Sequence, residues 1–115
     1  MSDRDKKREL WRLAAEAAIA AEDKAARYKE GKPIFLDMII ETLIEQAEEN
    51  GQKLATTKAE RMARTSKRYR SYLKKMHNAR LSAEQLRLQA QDMDRRYWEG
   101  VSSEATYRAE MRMTQ

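Results

Sequence analysis

Lys58, Arg61, Arg64, Lys67, Arg68, Arg70, Lys74 and Lys75 are the side chains of this sequence whose type and spacing could do chemistry. That chemistry is neutralisation of phosphate, since each cation brought against a polyanion releases a condensed counterion. The charge is concentrated locally. From Gly51 to Arg80 there are ten Lys/Arg and one acidic residue, Glu60, although the whole chain of 115 residues carries a net charge of only +5. Residues 31–50 are acidic, and both ends are close to balanced. Ordinary surface helices mix signs, so so one-sided a run points to a polyanionic partner, nucleic acid first. A solvated helix face without a partner is the plainer reading of the same residues.

The spacing sorts these cations into ridges. Lys58, Arg61 and Arg64 recur every three residues on a short predicted helix. Lys67, Arg70, Ser71 and Lys74 fall on the side of a long helix that faces away from its apolar seam, and Arg96 extends that side further along. Arg68 and Lys75 lie at the edge of the seam. Two adjacent ridges can track a sugar–phosphate backbone without reading sequence, because phosphates position a protein and carry no code. Tyr69 and Tyr72 could stack on bases, but both lie on the seam, where core packing is the simpler role.

Other chemistries lack their parts. There is no cysteine and one histidine, His77, so no common zinc or redox site can be built. No glycine-rich phosphate loop or nucleophile elbow is present. Glu41, Glu45, Glu48 and Glu49 sit at helical neighbour spacing, and Asp92 and Asp94 lie two apart. Without histidines to join them, they read as solvated acidic faces rather than a metal centre. The expectation is a non-enzymatic protein with no catalytic residues, metal or cofactor.

The elements that must position the cations are helices. Charged residues make up 37% and apolar residues 41%, with three glycines and one proline, and strong helix formers dominate. The chain reads as one all-α domain over residues 1–115, a helical bundle or coiled-coil hairpin built on a long helix in its second half. Helices are expected at about 2–30, 33–50, 58–64, 67–99 and 104–113. Gly31 to Pro33 serves as a stop and restart, Asn50 and Gly51 as a stop, and Gly100 with Ser102 and Ser103 as a last break. Thr57 and Glu60 have capping-box spacing, and Thr65 and Ser66 offer the cap of the long helix.

The first helix is expected to carry one packing face, mostly alanine, of Leu10, Trp11, Leu13, Ala14, Ala17, Ala18, Ala21, Ala25 and Tyr28. The second is apolar around most of its circumference near Ile34 to Ile44, which predicts burial on more than one side, either as the core element or in a dimer seam. The long helix repeats Tyr69, Tyr72, Met76, Ala79, Ala83, Leu86, Ala90, Met93 and Tyr97 at alternating three- and four-residue spacing. Leu73, Leu81, Leu88 and Trp98 form a second, partial stripe. A chain of this kind is expected to complete its core as a homo-oligomer.

Residues 34–112 resemble a group of small proteins encoded in phage and prophage early regions, often beside recombination genes. The likeness rests on Gln46 to Gly51, on Lys58 to Glu60, and on Ser66, Tyr69, Tyr72 and Leu73. It continues through Tyr97, Trp98 and Glu99 to Ser103, Ala105 and Arg108 to Met111. The helical part is also similar in style to UvsY-type recombination mediators, which bind single-stranded DNA and help load a recombinase. The resemblance implies an accessory role in phage recombination or replication, and it transfers no individual functional residue.

Two functional expectations follow. The first is a nucleic-acid-binding accessory protein that engages the phosphate backbone through segment 51–80. The alternative is a phage-encoded interaction module or inhibitor that docks the same segment on an acidic surface of a host or phage protein. No segment reaches the roughly 20 apolar residues that span a bilayer, and the start of the chain lacks a signal-peptide core. The expected setting is therefore cytoplasmic, the host cytoplasm for a phage protein, with no membrane partner.

Overall fold

The computed structural model describes residues 2–114, and these form an all-α fold. Helix α1 spans Asp3–Glu49, α2 spans Thr56–Arg64 and α3 spans Lys67–Met113; α1 and α3 are 47 residues each. Among the described residues there is no strand, and no helix is long and apolar enough to cross a membrane.

Local chemistry sets most of the helix ends. The Ser2 hydroxyl accepts the Asp5 N–H at 3.2 Å, and Asp3 and Asp5 place negative charge at the positive end of α1. At the other end Gly51 adopts φ +71°, with Gly51 N–H donating to Glu48 O at 3.0 Å and Gln52 N–H to Ala47 O at 2.8 Å. This reciprocal pair satisfies two carbonyls that the helix itself leaves open, and glycine permits the left-handed residue it requires. The Ser66 hydroxyl caps α3 by accepting the Tyr69 N–H at 3.2 Å.

Three expected boundaries differ. Gly31 and Pro33 do not divide α1, which continues through both. A proline inside a helix removes one hydrogen bond and costs about 3 kcal/mol, and packing on both sides of it outweighs that cost. Gly31 serves a contact, since a Cβ there would meet the Tyr72 Oη at 2.8 Å. Likewise α3 continues through Gly100 and the two serines to Met113, with no separate last helix. Finally, α2 begins at Thr56 with Ala55 at the cap position and no side-chain cap. Glu60, the expected capping partner of Thr57, instead pairs with Arg64 at 2.9 Å.

The chain falls into two compact units. One comprises the residues up to Glu22 and those from Ser82 onward. Its buried residues are Ala18, Ala83 and Ala90, flanked by half-buried Trp11, Leu86, Met93 and Tyr97, whereas Leu10, Leu13 and Ala17 of the expected α1 face are exposed because they flank the narrow line of α1 that is covered. Small side chains at these positions let two helices run close together.

The other unit, Asp23–Leu81, contains all of α2. Leu36, Ile39, Ala63 and Tyr69 are buried at its centre, with Phe35, Ile40, Leu43 and Leu73 packed around them. Ala59 and Ala63, both fully buried and one turn apart, seat α2 on this core.

All nine positions of the α3 seam are buried or half-buried. The second stripe is not: Leu81, Leu88 and Trp98 are exposed, and only Leu73 reaches the core. Nor is the apolar stretch of α1 enclosed on several sides. Ile34 is 70% exposed and Met38 48%, because α2 and α3 cover only the face bearing Leu36 and Ile39.

Candidate nucleic-acid interface

The eight candidate cations all lie in the Asp23–Leu81 unit, and every one is exposed. Burial of Tyr69, Tyr72, Leu73 and Met76 turns one side of α3 inward, which sends Lys67, Arg70, Ser71 and Lys74 outward. On α2, burial of Ala59 and Ala63 does the same for Lys58, Arg61 and Arg64. Only Thr65 and Ser66 separate the two helices, so the ridges are consecutive along the chain and belong to one compact unit.

Their partners differ. Arg64 is held by Glu60, which keeps its guanidinium more firmly protonated than usual through the hydrogen bond first and charge attraction second. Arg68 lies over the Phe35 ring with its guanidinium carbon 5.8 Å from the centroid, a cation–π contact that draws it toward the core edge. Arg70 donates to the Thr65 carbonyl at 2.9 Å, which fixes its reach across the start of α3. Among the described residues Lys58, Arg61, Lys67, Lys74 and Lys75 form no ion pair, and neither do Lys53 and Arg80, two further exposed cations of the segment.

Outside the segment several arginines are paired, while Arg8, Arg108 and Arg112 form no ion pair among the described residues. Arg12, Arg27, Arg87, Arg95 and Arg96 each meet a carboxylate on their own helix. Arg96, expected to prolong the α3 ridge, lies in the other unit and pairs with Asp92 at 3.1 Å. The ridge therefore ends before it. Segment 51–80 is the stretch in which basic side chains outnumber available carboxylates. Exposed cations of this kind act over only about 8 Å at physiological salt.

The two tyrosines face inward. Tyr69 is 4% exposed. The Tyr72 ring stacks on Phe35 at a centroid distance of 4.6 Å and meets Tyr28 edge-on at 5.5 Å. Their faces are used in packing, so neither tyrosine presents a free ring beside the exposed cations.

Among the described residues no group of three or more His, Cys, Asp or Glu gathers to hold a metal ion. His77 is exposed on α3. Sequence reasoning did not include Lys53 and Arg80 in the site, although their place in the same one-sided run was the available signal. It had no signal for the Phe35 contact of Arg68, which joins residues distant in the chain. No protein-family model, curated protein or solved structure matches the chain.

Proposed function

We propose that this protein is a non-enzymatic nucleic-acid-binding accessory protein that engages the phosphate backbone through segment 51–80. One observation supports the reading: the ten Lys/Arg of segment 51–80 are all exposed, and among the described residues one of them, Arg64, pairs with a carboxylate. Holding so many like charges together disfavours the free protein, and a polyanion relieves that repulsion. The inward-facing tyrosines favour binding with little sequence selection. The resemblance of residues 34–112 to phage and prophage early-region proteins supports a role in recombination or replication in the host cytoplasm.

The test is a binding titration with single-stranded DNA, double-stranded DNA and RNA at two salt concentrations. The expected result is affinity that falls steeply with salt and is similar across unrelated sequences. Absence of binding to all three at low salt would overturn the reading. The segment would then be assigned to an acidic protein surface.

A further inference from the structure

We propose that the outward stripe of α1 in the Asp23–Leu81 unit docks on the outward stripe of α3 in a second copy of this chain. Opposite the core face of α1, Ile34, Met38, Glu41, Glu45 and Glu49 follow one another at three- and four-residue spacing, and all are exposed. Opposite the core face of α3, Lys67, Arg70, Lys74, Asn78 and Leu81 do the same. Among the described residues none of these three glutamates and none of these three cations takes part in an ion pair.

The two stripes match in order and in length. Counted from the ends of α1 and α3 that flank α2, α1 presents Glu49, Glu45 and Glu41 before Met38 and Ile34. From the same end α3 presents Lys67, Arg70 and Lys74 before Leu81. At about 1.5 Å per residue the acidic run is about 12 Å long and the basic run about 10 Å. The full stripes, Glu49 to Ile34 and Lys67 to Leu81, are about 22 and 21 Å. One register therefore sets acids on bases and apolar side chains on an apolar side chain at the same time.

The apolar part supplies the drive. Ile34 is 70% exposed, Met38 48% and Leu81 46%. Removing them from water favours association, while the charges select the register and disfavour the reverse alignment. Because the stripes lie on different helices, each contact joins unlike surfaces, so copies add in one sense and close into a ring or continue as a row. The neighbour covers Lys67, Arg70 and Lys74. A polyanion then competes with it, a consequence that rests on the function proposed above.

The experiment measures self-association by sedimentation at low salt without any nucleic acid, so its outcome is separate from DNA binding. The parent protein is expected to associate. E41K/E45K/E49K and K67E/R70E/K74E should each weaken association by at least roughly tenfold through like-charge contact, and an equimolar mixture of the two should associate again. I34Q/L81Q leaves every charge in place and should also weaken association, which separates docking in register from diffuse charge attraction. All these positions are exposed, so helicity should be retained. Should a reversal variant lose helicity, the neutral E41Q/E45Q/E49Q is read in its place, with weakened association expected. A monomeric parent overturns the proposal, as do reversal variants or an I34Q/L81Q variant that associate like the parent.

Discussion

The Tyr72 phenol donates a 2.7 Å hydrogen bond to the backbone carbonyl of Tyr28, 44 residues earlier in the chain. Its ring fills the space between Tyr28 and Phe35, and its oxygen rests over Gly31, the residue that leaves room for it. One side chain of α3 thus sets the register between α3 and the middle of α1.

That contact predicts a change of sign in a double-mutant cycle. Alanine is a better helix former than glycine by about 1 kcal/mol. In the parent, Gly31→Ala drives a Cβ against the phenol and disturbs a bond of about 1 kcal/mol together with the ring's packing, so it should destabilise. In a Tyr72→Phe background the obstructing oxygen is gone, and the same substitution should stabilise. Denaturant midpoints of the four proteins check this; equal effects in both backgrounds would mean that the phenol does not sit over Gly31.

Pro33 gives a second test. At the first turn of a separate helix, Pro33→Ala would be neutral or unfavourable. Inside the continuous α1 it restores the hydrogen bond to the Lys29 carbonyl and should stabilise by about 1 to 3 kcal/mol. Thermal melting followed by circular dichroism separates the two, and an unchanged or lower midpoint would argue for a break at Gly31 to Pro33.

Stability at alkaline pH should report on Tyr72. Burial holds its phenol above the ordinary value, and the neighbouring phenols of Tyr28 and Tyr69 act in the same direction. The folded protein keeps a proton that the unfolded chain releases near pH 10, so the unfolded state binds fewer protons in that window. This contribution is complete below about pH 10 and is lost as pH rises through the folded pKa. Between about pH 9 and about pH 11 the parent's melting temperature should fall more steeply than that of Tyr72→Phe.

The phosphate ridge predicts a change of slope. Replacing Lys67, Arg70 and Lys74 with alanine should weaken DNA binding while leaving helicity intact, since all three are exposed. Each lost phosphate contact removes roughly 0.7 to 0.9 from the dependence of log K on log salt, so the plot should flatten by about two. Glu45, Glu48 and Glu49 replaced with glutamine should bind no more weakly than the parent. A parent-like slope in the alanine variant would place the contacts elsewhere.

The seam of α3 was legible in the sequence because alternating three- and four-residue spacing is a property of one helix: Tyr69 through Tyr97 all turn inward. The same spacing puts Lys67, Arg70 and Lys74 on the side of α3 away from the seam, where they are exposed. The punctuation at Gly31 and Pro33 misled because those signals describe local preference, and Tyr72 is a distant residue that overrides them. Thr57 misled for a related reason. Its hydroxyl competes with a helix that starts one residue earlier, and Glu60 finds Arg64 on its own helix instead. The exposure of Ile34 and Met38 was illegible because hydrophobicity alone does not say how many neighbours a chain can supply.

The alanine contacts of the unit formed by the two chain ends have a dynamic consequence. Ala18, Ala83 and Ala90 each withdraw a methyl group from water, whereas Leu36, Ile39 and Tyr69 withdraw whole side chains in the other unit. Opening a turn near Ala18 or Ala90 therefore gives up far less than opening one near Ile39. Backbone amides of 3–22 and 82–113 should trade their hydrogens with solvent through small local excursions, while those around Tyr69 wait for rarer and larger ones.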